Sequence, residues 1–155
     1  MYIAVQKDDL SDGTVVELLA QHLKEMQQHS PPESVHALKP EELVDPKITF
    51  WSAKINGVLA GCGALKEVSS TLGEIKSMKT SQSFLRKGVA KAVLQEIINE
   101  ARRRGYSEVK LETGNRLNFA PAIALYYQNG FKSCGPFSNY REDPHSLFFT
   151  KKLRL

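Results

Sequence analysis

The chain lacks most of the features that would mark a specialised class. Its two cysteines, Cys62 and Cys134, stand far apart in 155 residues and have no partners at metal-ligand spacing. Neither a metal site nor a disulfide framework is expected. Two reduced thiols buried in strands are expected instead, since free cysteine behaves as a small hydrophobe. No apolar run approaches the ~20 residues of a membrane span. The opening MYIAVQKDDL has no basic start followed by a long apolar stretch, so no secretory signal is expected. A cytoplasmic protein without a membrane partner is the default. Charge of one sign is also scarce, 21 basic residues against 17 acidic giving +4. The basic residues cluster at Arg86-Lys87, Arg102-Arg103-Arg104 and Lys151-Lys152 without interleaved aromatics, so nucleic acid is not an expected partner. A cleft for a polyanion accounts for the first cluster, and a solvated helix end and a solvated terminus account for the other two. Repeats, linkers and low-complexity segments are absent.

The length fits one domain over residues 1–155, with folding burying roughly two-thirds of the unfolded surface. Residues 1–6 read as a strand. From Ser11, Val15, Leu18, Leu19, His22, Leu23 and Met26 fall on one helical face, with Ser11 or Asp12 as cap, and Pro31-Pro32 ends the helix. Residues 30–46 read as a loop with a short helical turn over 40–43. Residues 48–55 and 58–68 are β-prone runs joined by Asn56-Gly57, the strongest short-range hairpin signal. A third strand over 72–80 alternates Glu74, Lys76 and Thr80 with Ile75, Ser77 and Lys79. Residues 88–104 form the clearest helix, with Val89, Val93, Leu94, Ile97, Ile98 and Ala101 as its stripe and Gly105 as its stop. A strand over 106–113, a helix over 120–129 stopped by Gly130, and two final strands complete a mixed α/β order.

The main chemical signal lies between the third strand and the long helix, in Leu85-Arg86-Lys87-Gly88-Val89-Ala90. Glycine and a small residue at a helix start let backbone amides approach a ligand closely. Those amides have no partners within the helix and sit at its positive end, which makes an anion site. Arg86, Lys87 and Lys91 add charge. A glycine that only permits a tight turn is the plainer reading of the same residues.

This unit resembles motif A of the GNAT superfamily of N-acetyltransferases, Gln/Arg-x-x-Gly-x-Gly/Ala. Gly88 and Ala90 match, and Leu85 takes the Gln/Arg position. Ala122-Ile123-Ala124-Leu125-Tyr126 followed by Gly130-Phe131 resembles motif B. The family's Asn seven residues before the tyrosine is replaced by Phe119, with Asn118 one residue out of register. The phrases from Pro32 to Leu38 and Leu111-Glu112-Thr113-Gly114 resemble a subset of small bacterial-type members. The resemblance covers nearly the whole chain. It implies a GNAT fold, a mixed sheet of about seven strands with flanking helices and a splayed cleft for coenzyme A between the fourth and fifth strands.

It further implies direct acetyl transfer from acetyl-CoA to an amine in a ternary complex. Arg86, Lys87, Gly88, Val89, Ala90 and Lys91 would hold the pyrophosphate. Backbone groups of Met78, Lys79 and Thr80, freed by a bulge, would hold the pantetheine, with Asn118 as a further contact. Tyr126 would protonate the leaving thiolate; Tyr127 would point about 100° away on the helix. An alkylammonium of pKa near ~10 is almost wholly charged at pH 7, so the acceptor must lose a proton. Glu74, acting through a water, is the first candidate base; a salt bridge with Lys76 is its structural alternative. His36 is the second candidate. Glu33, His36 and Tyr140 would line the acceptor pocket. A small-molecule amine is the leading acceptor class. A protein or peptide amine, a non-catalytic acyl-CoA-binding module, and a homodimer are left open.

Overall fold

The computed structural model describes residues 1–29, 31–32, 43–115 and 117–153. Its elements are β1 (Ala4–Asp8), α1 (Thr14–His29), β2 (Ile48–Ile55), β3 (Val58–Glu67), β4 (Leu72–Thr80), α2 (Val89–Arg103), β5 (Glu108–Gly114), α3 (Ala120–Gln128), β6 (Lys132–Cys134) and β7 (Ser146–Lys152). One seven-stranded sheet runs in the order β1-β2-β3-β4-β5-β7-β6. Both flanks are antiparallel. Their junction, β4 against β5, is parallel and pairs Leu72 with Glu108, Gly73 with Val109 and Glu74 with Lys110. Past that point the two strands part. The mixed sheet and its splayed centre are as expected from the sequence.

Local chemistry explains the antiparallel flank. Asn56 and Gly57 both adopt positive φ (51° and 78°), so the hairpin turn twists with its strands. Asp12 accepts from the amide of Thr14 at 3.0 Å and from its hydroxyl at 2.8 Å, fixing the entry to α1. That helix ends at His29, ahead of Pro31-Pro32. Of the helical turn expected over 40–43, only Leu43 is described; it lies with Val44 in a 3₁₀ turn.

Helices cover both faces of the sheet. Val15, Leu18 and Leu19 of α1 pack with Ile48, Phe50, Cys62 and Ala64. The whole predicted stripe of α2 is buried against Trp51, Ala53, Ile55, Leu65 and Ile75, in a cluster that also holds Tyr126, Phe131 and Phe149. A central strand squeezed between two helices has room only for small residues. In β3 these are Ala60, Gly61, Cys62, Gly63 and Ala64, all buried. At Gly63 an added Cβ would come within 2.7 Å of Met78 Sδ and of Val93 Cγ1.

Five expectations need correction. The first strand is Ala4–Asp8 and not 1–6, and β5 begins at Glu108; Tyr106 precedes it, buried, with its hydroxyl donating to Glu67 at 2.8 Å. The alternation expected along β4 breaks. Cys62 pairs with Lys79 but Ala64 with Lys76, so β4 carries an extra residue at Ser77–Met78, where Ser77 turns to φ 57°. This bulge puts Met78 on the α2 side and returns Lys79 to the side of Glu74 and Lys76, where its ammonium meets Glu25 of α1 at 2.5 Å. The arginines ending α2 are not simply solvated. Arg103 and Arg104 each bond Glu100 (3.0 and 2.9 Å), and Lys7 lies 3.4 Å from it. Burial works to raise the Glu100 carboxyl, and the two guanidiniums outweigh it and hold it low. Of the two free thiols, Cys62 is buried and Cys134 only half-buried.

Gly63→Ala should destabilise the protein by about 1–3 kcal/mol, the usual cost of overpacking a closed core. Urea unfolding measures it; an unchanged midpoint would show that α2 stands further from the sheet than described here.

Candidate active site

The parting of β4 from β5 leaves a cavity lined by Glu74, Lys76, Ser77 and Met78 on one side and Glu112, Thr113 and Gly114 on the other. His22 and Met26 of α1 close it from one direction, and Tyr126 and Ala122 of α3 from another. Tyr140, from the segment between β6 and β7, completes the wall.

Two carboxylates dominate the cavity. Glu74 is 3% exposed. Its Oε2 accepts the hydroxyl of Tyr140 at 2.6 Å and lies 3.5 Å from the Lys76 ammonium, which also donates to Tyr140 at 3.2 Å. The salt bridge foreseen as the structural alternative for Glu74 is present. Tyr140 is held by ring contacts to Phe137 and Phe148, at 5.0 and 5.6 Å between centroids.

Across the opening, Glu112 of β5 accepts the Ser146 hydroxyl at 2.7 Å. Burial pushes its carboxyl up; the Ser146 hydroxyl and the Lys76 cation draw it back, and the Glu74 and Asp143 charges add to the rise, leaving it at about 7. Burial also lowers His22 to about 4, helped by the Lys79 cation, so its ring is neutral at physiological pH. Tyr126 is 5% exposed and packs edge-on to Phe131 at 5.7 Å. Burial, then the Glu112 charge, raises its phenol well above the ordinary value and keeps it protonated. Tyr127 is 54% exposed, its hydroxyl 3.2 Å from that of Ser133, so the two neighbouring tyrosines do point apart as helical geometry requires.

The second part of the site is the N-terminus of α2. After a 3₁₀ turn over Gln82–Phe84, Leu85 is extended, Arg86 takes φ 63° and Gly88 φ 83°. Only glycine adopts the latter geometry without strain. A Cβ at Gly88 would meet nothing within 4 Å, so the space above this turn is open. Arg86, Lys87, Gly88 and Lys91 are exposed, Ala90 is half-buried, and Val89 is buried in the core with its backbone alone at the helix start. The amides of this first turn have no carbonyl partners inside the helix. Open space, free donors and three cations fit a pyrophosphate. Met78, Lys79 and Thr80, on the stretch of β4 past its pairing with β5, lie between this turn and the carboxylates.

Of the remaining expected residues, Asn118 is exposed in the turn before α3, and its neighbour Phe119 faces the cavity instead. Glu33 and His36 lie outside the described residues. Sequence reasoning passed over Glu112, Ser146 and, as a site residue, His22. Glu112 did carry a signal: it is a charge between the buried Leu111 and Thr113 of a strand. Ser146 carried none, since its meaning depends on pairing with β5.

Comparison with known proteins agrees with this geometry. Residues 15–131 match the acetyltransferase (GNAT) family. A Bacillus subtilis protein described as the uncharacterized N-acetyltransferase YsnE is 57% identical over 149 residues, covering 96% of this chain and 99% of the relative. The Escherichia coli protein described as the uncharacterized N-acetyltransferase YedL is 44% identical, over 96% and 94% of the two chains. The crystal structure of the PaiA N-acetyltransferase from Thermoplasma acidophilum in complex with coenzyme A shares the fold, with a TM-score of 0.75 at 21% identity over 99% and 100% of the chains. On the family match and these full-length relatives, the chain belongs to the acetyltransferase (GNAT) family and is an N-acetyltransferase that uses acetyl-CoA.

Proposed function

We propose that the protein acetylates the primary amine of a small molecule, by direct attack of the amine on acetyl-CoA while both are bound. One observation carries this reading: Glu74, Glu112, Tyr126 and Tyr140 converge on a single cavity where β4 and β5 part. Glu74 and Tyr126 are almost wholly enclosed, so whatever they recognise must enter the cavity and not lie across the surface. That favours a compact amine over a side chain on a folded protein.

In this reading the amides of Gly88, Val89, Ala90 and Lys91, with the side chains of Arg86 and Lys87, hold the pyrophosphate. Backbone groups of Met78, Lys79 and Thr80 hold the pantetheine and polarise the thioester carbonyl, with Asn118, in the turn before α3, as a further contact. The bound acetyl-CoA supplies an activated acyl group on a thiol leaving group. Tyr126, kept protonated by its surroundings, donates to the sulfur as it departs. Glu74 is engaged by a cation and a phenol, and this suits positioning of Tyr140 and Lys76 better than proton abstraction. Tyr140, with Glu33 and His36, contacts the acceptor.

Thiol release from acetyl-CoA against a panel of amino acids, polyamines, aminoglycosides and peptides tests the acceptor class. Turnover of peptides alone would overturn the small-molecule reading. Gly88→Glu should weaken acetyl-CoA binding at least about tenfold, or 1.4 kcal/mol, because it sets a strained side chain and a negative charge at the anion site; titration calorimetry reads it, and unchanged affinity would move the pyrophosphate elsewhere. Tyr126→Phe should lower kcat about a hundredfold, the low end for general acid catalysis since a thiolate already leaves well. Acetyl-CoA affinity should stay the same, with Tyr127→Phe near wild type; equal rates for both variants would make Tyr126 a packing residue. Tyr140→Phe should raise the acceptor KM and leave acetyl-CoA affinity alone, whereas the reverse pattern would put Tyr140 on the cofactor side.

A further inference from the structure

We propose that Glu112 is the catalytic base that takes the proton from the acceptor ammonium, an assignment that rests on the amine-acetylation reading above. Three features of the cavity lead to it. Glu112 and Tyr126 line the same opening, one from β5 and one from α3, so a nitrogen between them has a proton acceptor on one side and a proton donor on the other. Among the described residues the carboxylate of Glu112 receives one neutral hydroxyl, from Ser146, which fixes its orientation and leaves acceptor capacity for a substrate proton. The other carboxylate, Glu74, is committed to Lys76 and Tyr140.

The surroundings tune Glu112 for this task. Burial raises its proton affinity most; Ser146 on β7 and Lys76 on β4 lower it, and Glu74 on β4 and Asp143 before β7 raise it, with about 7 as the result. His22, on α1, is neutral and adds no charge, and Tyr126 stays protonated. A base poised near the working pH combines a useful ionised fraction with useful proton affinity.

The Glu112 carboxylate takes one proton from the ammonium, leaving a neutral amine. The nitrogen lone pair forms the C–N bond to the thioester carbonyl carbon, and the C–S bond breaks with its electron pair on sulfur. Tyr126 protonates that sulfur, and the surplus proton on the new amide nitrogen passes through water to the Tyr126 oxygen. Glu112 then loses its proton to solvent, so one proton is released per turnover.

The sign of the pH dependence follows. Glu112 must be ionised to act, so kcat/KM should fall as pH drops through about 7. This limb is separate from the titration of the free amine near ~10. Glu112→Gln, which can still accept from Ser146, should abolish the limb and lower kcat about a hundred- to ten-thousand-fold, with acetyl-CoA affinity unchanged. Ser146→Ala removes a bond that favours the charged form and should move the limb to higher pH. Glu74→Gln removes a neighbouring negative charge and should move it to lower pH without erasing it. A carboxyl ¹³C titration of the substrate-free protein gives a readout independent of any acceptor: one resonance with a midpoint near 7, displaced by Ser146→Ala and missing in Glu112→Gln. A midpoint in the ordinary carboxylate range, about 4.3, or a pH limb that survives in Glu112→Gln, overturns the assignment. Failure of every panel amine overturns the acetylation reading instead, and the ¹³C titration still decides whether Glu112 has the proton affinity a base needs.

Discussion

Everything functional in this fold is arranged around the end of one backbone ladder. β4 and β5 share a parallel register from Leu72 to Glu74, and the pairing then stops although both strands continue. Buried backbone donors and acceptors must find partners, so strands that part inside a protein leave groups that something else has to satisfy. In an acetyl-CoA-dependent enzyme, an amide-bearing pantetheine is well suited to satisfy them. The bulge at Ser77–Met78 enlarges the effect. It rotates the last residues of β4 and turns their side chains to new partners, as the Lys79–Glu25 contact records.

Electrostatics then divides the opening into two zones. The end near α2 offers amides, Arg86, Lys87 and Lys91, and suits phosphates. The end beneath α1 holds Glu74 and Glu112 with Lys76 between them, and suits an amine. In the proposed reaction the acyl group is transferred where the zones meet, beside Tyr126. The two carboxylates have separate fates because their neighbours differ. One is bound by a cation at 3.5 Å and by a phenol; at the other, burial outweighs the Ser146 hydroxyl and the Lys76 charge. Such separation of like groups is what the proposed division into an anchor and a base requires of one cavity.

The legible parts of the fold were those written in local chemistry. The α2 stripe, the Asn56-Gly57 turn, the halt before Pro31-Pro32 and the glycine at the α2 start each depend on residues a few positions apart. The bulge was not legible at its own position. It is one extra residue on one strand, and only the pairing of Cys62 and Ala64 with Lys79 and Lys76 reveals it. Missing it reverses the face of every later residue, which is why alternation alone groups Lys79 with Ile75. The Glu74–Lys76 pair was foreseeable from i, i+2 spacing on a strand. Glu112 was legible only as a charge between Leu111 and Thr113; its environment was not, since Ser146 and Asp143 stand beside it only after β7 returns along β5.

The narrow junction between the two antiparallel flanks also affects how the enzyme can change over time. With so few paired positions joining the flanks, the angle between them is set mainly by side chains that bridge both: Ile75 from one flank, Leu111 and Phe149 from the other, and Ile97 from the helix above. Cleft width is therefore written in the hydrophobic core. Exchanges of buried apolar residues far from any ligand can retune substrate size while every catalytic group stays in place. The same exchanges draw on the stability that core provides, so new acceptors are reached only as far as that reserve allows.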